Sequence, residues 1–263
     1  LSTEIRLVSG LPHVEIANAL EKAKVREKEG VHFAFPFAVS DATPRIETPW
    51  AIYRSDVDQL EGSCRNYLTA QRFADVSNGR LGVTLVTVDA PLVQVGEIRT
   101  DVANQFGASD SWIRRLPASS TLYSYIMNNY WETNYKADQS GVVPFRYAIR
   151  PYAGLFDGAA ASRFGAETCQ PLVVVPVRRP TDRASQLRVS PPGVIATSLR
   201  PSEDDSLLLR LYAASGKPES ASVEWGDGSA PEVSIERPDG SFGRATWPVR
   251  LPAYGVVTLK LER

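Results

Sequence analysis

The segment that decides the fold of this chain is Val31-His32-Phe33-Ala34-Phe35-Pro36-Phe37-Ala38-Val39. Bulky apolar side chains occupy its odd positions, whereas histidine, alanine and proline occupy its even positions. Side chains of a strand alternate between its two faces, so this pattern predicts a β-strand that buries Phe33, Phe35 and Phe37 on one face. Pro36 cannot donate to a β-ladder, and we therefore expect it at a sheet edge or a bulge.

Prolines and glycines are closely spaced along the whole chain of 263 residues, which contains 19 prolines and 18 glycines. Between these turn formers lie short runs rich in Val, Ile, Thr, Tyr and Phe, which favour strands over long helices. Further strands are predicted at residues 5–9, 14–20, 82–89, 145–150 and 172–177. The fold class predicted from this pattern is all-β.

The composition changes near Val177, where the polar segment 178–183 is followed by Pro191-Pro192. We predict a domain boundary there, with one domain over residues 1–178 and a small β-sandwich over residues 188–263. Six short strands are expected in the second domain, at 194–199, 207–212, 221–225, 232–237, 245–251 and 256–261. The segments 226–228 and 238–240 have the composition of hairpin turns between them.

Charge and hydropathy exclude two classes of partner. The formal net charge is −1, whereas nucleic acids and anionic membranes attract clusters of excess Lys and Arg. No apolar run approaches the roughly 20 residues that a membrane-spanning helix needs. The two cysteines, Cys64 and Cys169, are expected to be buried or half-buried thiols.

No catalytic or metal-binding set emerges from the sequence. The two histidines, His13 and His32, lie inside strand patterns, and we favour packed or surface strand positions for both over catalytic ones. No Gly-x-Ser-x-Gly elbow is present, and neither cysteine has a setting that would activate it. The segment Asp56–Glu61 offers three carboxylates without a histidine or cysteine, so it is either a solvated turn or a ligand-facing loop.

The segment 123–141 is unusual because it concentrates aromatic side chains and amides. Aromatic faces suit the C–H faces of sugars, and amides can both donate to and accept from hydroxyl groups. The same composition would also fit an aromatic strand in a sheet core with amides that cap turns. The residues alone leave these two interpretations equally open.

Six blocks of this sequence form an ordered series: 58–66 (DQLEGSCRN), 71–78 (QRFADVSN), 82–93, 127–135 (MNNYWETNY), 145–152 and 251–259 (LPAYGVVTL). In this order they resemble the C-terminal region of glycoside hydrolase family 38, the α-mannosidase family. The resemblance extends from about Ile5 to the end of the chain and is strongest to a bacterial branch of the family.

This resemblance implies a large antiparallel supersandwich, like that of galactose mutarotase, followed by a small β-sandwich. It also implies that the catalytic aspartates and the zinc ion of the family lie on an N-terminal β/α barrel that this chain lacks, so that the chain itself holds no cofactor. We expect residues 1–178 to be a supersandwich truncated at its N-terminus, and the whole chain to be a fragment that packs on that barrel.

Six residues are expected to face an α-mannoside, through the resemblance and the concentration of amides and aromatics. They are Asp58, Asn128, Asn129, Trp131, Asn134 and Tyr135. Two alternatives remain open: a stand-alone carbohydrate-binding module, and a mutarotase-type enzyme that would need a histidine and a carboxylate in one cleft.

Overall fold

A computed structural model describes residues 1–99, 112–129, 136, 138–178, 185–202 and 204–262 of the chain. It divides into two compact units, Leu1–Phe156 and Asp157–Arg263. The boundary that the sequence predicts between residues 178 and 188 includes residues 179–184, which lie outside the described residues, and it stays a prediction. Strands account for nearly all the regular structure of both units, which confirms the all-β fold class.

The first unit consists of two antiparallel sheets. Its strands are β1 (Ser2–Leu7), β2 (Val14–Lys22), β3 (Gly30–Pro36), β4 (Thr43–Thr48), β5 (Ala51–Arg54), β6 (Leu68–Thr69), β7 (Phe73–Ser77), β8 (Leu81–Thr87), β9 (Leu92–Val95), β10 (Thr121–Asn128) and β11 (Gly141–Ala153). The seven-stranded sheet has the order β1-β2-β11-β8-β7-β4-β5, and the four-stranded sheet has the order β3-β10-β9-β6. Alternate residues of both sheets meet in one apolar core, so the unit is a sandwich.

The predicted register is confirmed over β3, although the strand ends at Pro36 and residues 37–39 of the predicted strand lie beyond it. Phe35 is buried in the core, and Phe33 and Phe37 pack against it, while Ala34 and Pro36 are exposed. The Phe35 ring lies 4.9 Å from the ring of Tyr147 on β11, a contact that joins the two sheets. Strand β3 is at the edge of its sheet, as Pro36 predicts.

The second unit begins with a helix and continues as a smaller sandwich. Its elements are α1 (Gly158–Cys169), β12 (Leu187–Ser190), β13 (Val194–Pro201), β14 (Leu207–Ala213), β15 (Glu219–Trp225), β16 (Glu232–Glu236), β17 (Phe242–Ala245), β18 (Val249–Leu251) and β19 (Val256–Glu262). A three-stranded sheet, β12-β15-β18, and a five-stranded sheet, β13-β14-β19-β16-β17, share one apolar core.

Most predicted strands of this unit are present, but one predicted strand is in fact two. The run 245–251 is divided between β17 and β18, which belong to different sheets. Pro248 lies in the break, and a proline cannot donate to a ladder.

One of the two predicted hairpin turns is present. Residues 238–240 join the paired strands β16 and β17, whereas residues 226–228 join β15 and β16, which belong to different sheets.

Two local features were missed or mistaken. Helix α1 was not predicted, although Asp157 accepts hydrogen bonds of 3.0 Å from the backbone N–H groups of Ala159 and Ala160, as a helix N-cap does. The predicted strand at residues 172–177 is wrong, since this segment pairs with no described strand. Its apolar side chains are 66–93% exposed, so the apolar run carries the composition of a strand without the partner that a strand requires.

We predict that Phe35→Ala lowers the free energy of unfolding by about 3–5 kcal/mol, because it removes a large buried ring and leaves a cavity. Chemical denaturation of the purified chain measures this loss. Ala34→Ser, on the exposed face of the same strand, is the control and should change stability by less than about 0.5 kcal/mol. Similar effects of the two substitutions would show that the register of β3 is wrong.

Candidate functional site: a polar cavity beside the first unit's sheets

Asp58, a predicted sugar-binding residue, lies in the turn that follows β5. Its Oδ2 atom accepts hydrogen bonds from the backbone N–H of Arg54, at 2.7 Å, and from Arg54 Nε, at 3.1 Å, while Oδ1 accepts from Arg54 Nη2 at 2.8 Å. These hydrogen bonds lower the pKa of Asp58. The carboxylate therefore closes a turn, and a sugar hydroxyl would have to share it with Arg54.

Asn128 and Asn129 are at the end of β10, and the structure gives Asn129 a defined set of partners. Its Oδ1 accepts from the backbone N–H of Glu29 at 2.7 Å, and its Nδ2 donates to the carbonyls of Val25, at 3.1 Å, and Glu27, at 2.9 Å. The Asn129 side chain thus holds the β2–β3 connection in place. The other three predicted residues, Trp131, Asn134 and Tyr135, lie outside the described residues, and their sugar-binding role stays a prediction.

We predict that Asn129→Ala destabilises the chain by about 1–3 kcal/mol, because it leaves backbone groups of the β2–β3 connection without their partner. The matched control is Asn128→Ala at the neighbouring position, which should cost less than about 0.5 kcal/mol. Thermal or chemical unfolding of both variants checks the difference. Equal stability of Asn129→Ala and the parent chain would contradict the inference that this side chain holds the β2–β3 connection in place.

A polar cavity of about 440 Å³ opens next to the turn that contains Asp58. It is lined by Asp56, Gln59, Glu61, Gly62, Arg65, Arg114 and Arg115. A ligand-facing loop was one of two interpretations of the carboxylates of this turn, but the sequence singled out none of the arginines. Arg65 lies inside one of the blocks that resemble family 38, and that was the one signal for it.

Arg65 holds the two walls of the cavity together. Its side chain is 5% exposed, and its Nε lies 2.6 Å from Asp56 Oδ1 as a close ion pair. Arg65 Nη1 donates to the carbonyls of Ser63 and Arg114. Asp56 Oδ2 in turn accepts from the backbone N–H of Leu116 at 2.7 Å. Both side chains of this ion pair also hydrogen-bond to the backbone of residues 114–116. The cavity is therefore preorganised rather than formed by mobile surface side chains.

The cavity offers a hydrogen-bond acceptor to a ligand. Gln59 Oε1 is buried and has no hydrogen-bond partner among the described residues. Leaving such an acceptor without a partner costs free energy, which a donor such as a hydroxyl group would recover. The volume falls within the usual range of ligand pockets, roughly 300–1,000 Å³. A monosaccharide-sized polyol fits this chemistry.

Two buried carboxylates on the seven-stranded sheet were not singled out by the sequence. Asp75 accepts hydrogen bonds from the hydroxyl groups of Ser77, Thr84 and Tyr152 at 2.7–3.0 Å. A Cβ atom at Gly82 would lie 2.3 Å from Tyr152 Cζ, so a glycine is needed there for the tyrosine to reach Asp75.

The second buried carboxylate, Glu47, is 1% exposed. It accepts from Arg72 Nε at 3.1 and 3.0 Å and from Arg72 Nη2 at 2.5 Å. Burial raises the pKa of Glu47, although the hydrogen bonds from Arg72 oppose the rise. Both buried carboxylates are therefore saturated by groups of the chain itself, which makes them structural rather than catalytic.

We predict opposite pH dependences for two aspartates. Burial raises the pKa of Asp75, so the unfolded chain releases this proton at lower pH than the native chain does. The stability of the parent chain relative to Asp75→Asn should then fall as pH rises from about 4 through the raised pKa. Hydrogen bonds from Arg146 lower the pKa of Asp89, so stability relative to Asp89→Asn should be lost as pH falls through the lowered pKa.

Denaturation of the three proteins between about pH 3 and 7 measures these trends, since aspartates titrate near pH 3.9. The Asp89 variant serves as the control, because any general effect of pH on the fold appears in both comparisons. Differences that do not vary with pH would contradict both assignments.

No group of three or more His, Cys, Asp or Glu side chains is arranged to hold a metal ion among the residues that the structure describes. In the same part of the chain, no helix is long and apolar enough to cross a membrane.

No protein-family model and no curated protein matches this sequence. Solved structures do match the fold. A protein of glycosyl hydrolase family 38 from Enterococcus faecalis aligns with a TM-score of 0.74 and 12% identity over 99% of this chain and 29% of that one. This chain has the fold of one part of a family 38 glycosyl hydrolase.

A second match supports the same conclusion. An alpha-mannosidase from Enterococcus faecalis V583 aligns with a TM-score of 0.74 and 11% identity over 99% of this chain and 28% of that one. The resemblance noted in the sequence blocks is therefore confirmed at the level of fold. The chain spans less than a third of the length of either of these two proteins.

Proposed function

We propose that this chain is the non-catalytic C-terminal portion of a larger α-mannosidase-like glycoside hydrolase, in a protein that hydrolyses α-mannosidic bonds. The observation that carries the proposal is the fold likeness, which covers 99% of this chain but only 28–29% of the two family 38 proteins. A segment of that kind is one building unit of a longer enzyme.

The environment of the acidic residues supports a non-catalytic role. General acid–base chemistry on a glycosidic bond uses two carboxyl groups that both reach the substrate. The carboxylate oxygens of Asp75 and Glu47 instead accept hydrogen bonds from neighbouring hydroxyl and guanidinium groups of the chain. The acid/base carboxyl group and the nucleophilic carboxylate are therefore assigned to the rest of the longer protein.

The zinc ion that the family resemblance implies does not fit the residues described here. His32 is hydrogen-bonded to Gln94, and His13 lies 3.5 Å from Glu15. Neither histidine has the two or three further converging ligands that a zinc site requires. We therefore assign zinc to the proposed catalytic barrel and derive no step from it in this chain.

The role of this portion is to pack on the barrel and to shape the edge of the sugar site. The proposal places residues 128–135 at that edge, with Trp131 or Tyr135 as an aromatic wall and Asn134 as a hydroxyl partner. The polar cavity of Arg65 and Gln59 is a second place at which a sugar hydroxyl could bind, because it holds an acceptor without a partner.

A stand-alone carbohydrate-binding module is the second candidate function. The observation that favours it is the preorganised cavity, which is formed entirely by residues of one unit. Titration of the isolated chain with mannose and mannobiose distinguishes the two candidates. Binding at micromolar to low millimolar concentration that is lost in Gln59→Leu would favour the module, whereas an absence of binding would favour the accessory role.

We predict that the purified chain, with or without added zinc, does not cleave an aryl α-mannoside. Release of the aryl alcohol measures turnover, and any turnover that a chelator abolishes would overturn the non-catalytic assignment. In a full-length protein that contains this chain, Trp131→Ala should lower kcat/KM while the melting temperature barely changes, because the lost contact is with the substrate. A large fall in melting temperature with normal kinetics would instead show that Trp131 fills the core.

A further inference from the structure

The two sheets of the first unit do not end level with each other. Strand β3, at the edge of the four-stranded sheet, faces β11, since the rings of Phe33 and Phe35 lie 5.8 and 4.9 Å from that of Tyr147. Strands β2 and β1 follow β11 in the seven-stranded sheet. Adjacent strands are about 4.8 Å apart, so β1 lies roughly 10 Å further out than β11 and β3.

Burial along one row of the seven-stranded sheet decreases in the same direction. Tyr147, Ile16 and Ile5 are directly opposite one another on β11, β2 and β1, so their side chains share the inner face of the sheet. Tyr147 is 2% exposed and Ile16 is half-buried, but Ile5 is 64% exposed. Leu7, on the same face of β1, is 76% exposed. The core face of the sheet therefore continues onto β1, where it is uncovered.

The other face of β1 is charged. Glu4 and Arg6 form an ion pair of 3.2 Å there, and Arg6 also lies 3.7 Å from Glu15 on β2. Ile5 and Leu7 alternate with these charged residues. Alternation of this kind is typical of a strand that is solvated on one face and packed against a second sheet on the other.

The edge of β3 beside this uncovered face is free of a strand. Among the described residues, β3 pairs with β10 alone. The sheets run in the same order, because at the opposite edge the N–H of Gln71, just beyond β6, donates to the carbonyl of Glu47 in β4 at 2.8 Å. The free edge of β3 is therefore on the side of β1, and alternate backbone groups of β3 point toward it.

We infer that a β-strand from the rest of the longer protein adds to the free edge of β3 and covers Ile5, Leu7 and Ile16. A strand in this position provides hydrogen bonds to the backbone of β3 and also removes the apolar face of β1 from water. Its side chains toward β1 are apolar, and those on its opposite face are polar.

The longer protein is the source of this strand because the chain covers only 28–29% of the two family 38 proteins. This choice of partner rests on the proposed function. The uncovered face of β1 and the free edge of β3 are observed independently of it.

Thiol labelling measures whether the inner face of β1 is covered. Leu7→Cys places a thiol on that face, and Val142→Cys is the matched control, since Val142 on β11 is 68% exposed and its neighbour Val143 packs against the core. Peptide mass spectrometry distinguishes these thiols from Cys64 and Cys169.

Both introduced thiols should react with a maleimide at similar rates in the isolated chain. In the longer protein, we expect Leu7→Cys to react at least roughly tenfold more slowly than Val142→Cys, because the reagent reaches it only when the covering strand opens. Slowing at position 7 that is no greater than at position 142 would overturn the inference.

Amide hydrogen exchange tests whether the cover is a strand on β3. Alternate amides of residues 31–35 should exchange at least roughly a hundredfold more slowly in the longer protein than in the isolated chain, because they gain ladder hydrogen bonds. The amides that bond to β10 are the internal control and should be protected in both proteins. Unchanged exchange along β3 would overturn the inference, even where thiol labelling shows a cover of another kind.

A second copy of this chain is the alternative occupant of the same face. Sedimentation of the isolated chain over a range of concentrations tests it. A chain that stays monomeric supports the inference, whereas self-association that Leu7→Lys abolishes would place a second copy on this face and overturn it.

The inference and the proposed function can fail separately, because neither labelling nor exchange depends on hydrolysis. A longer protein that protects β3 but does not cleave an aryl α-mannoside would contradict the proposed function alone. An active α-mannosidase in which β3 exchanges as in the isolated chain would contradict this inference alone.

Discussion

The first unit depends on the burial of alternate side chains between its two antiparallel sheets. The contact between Phe35 and Tyr147 spans the two sheets, and the Tyr147 hydroxyl donates to Ser124 Oγ at 2.9 Å, back in the four-stranded sheet. Since side chains alternate along a strand, fixing the inward residues also fixes the outward ones. The stacked pair of His32 and Tyr125 is therefore a consequence of the same register that buries Phe35.

The polar interior of this unit follows a second rule, namely that each buried charge has dedicated partners. Asp75 is surrounded by hydroxyl donors and Glu47 by the Arg72 guanidinium. Gln59 Oε1 departs from this pattern, because it is a buried acceptor without a hydrogen-bond partner among the described residues, as are Ser55 Oγ and Thr87 Oγ1.

Sequence periodicity correctly predicted those features of the fold that depend only on residues close together along one strand. The register of β3, the edge position of Pro36 and most strands of the second unit were predicted correctly, since alternation and turn formers are local signals. The division of residues 245–251 between two sheets was missed, because sheet membership depends on distant partners.

The same limit applied to the candidate sites. Gln94 and His32 are hydrogen-bonded although they are 62 positions apart in the sequence. The side chain of Asn66 accepts a hydrogen bond from the backbone N–H of Ile113, which is 47 positions away. No spacing rule joins residues so far apart. The family resemblance located the block that contains Gln59 and Arg65, but it could not assign their partners.

The unpaired apolar segment 172–177 has a consequence for the behaviour of this chain in solution. It presents six residues, LVVVPV, without a charge, and its described side chains are largely exposed to solvent. Segments of high β-propensity and low charge form intermolecular strands readily, and Pro176 is the one residue in this run that opposes such pairing. Colloidal solubility of the isolated chain is therefore expected to be governed by six residues, independently of how stable either sandwich is.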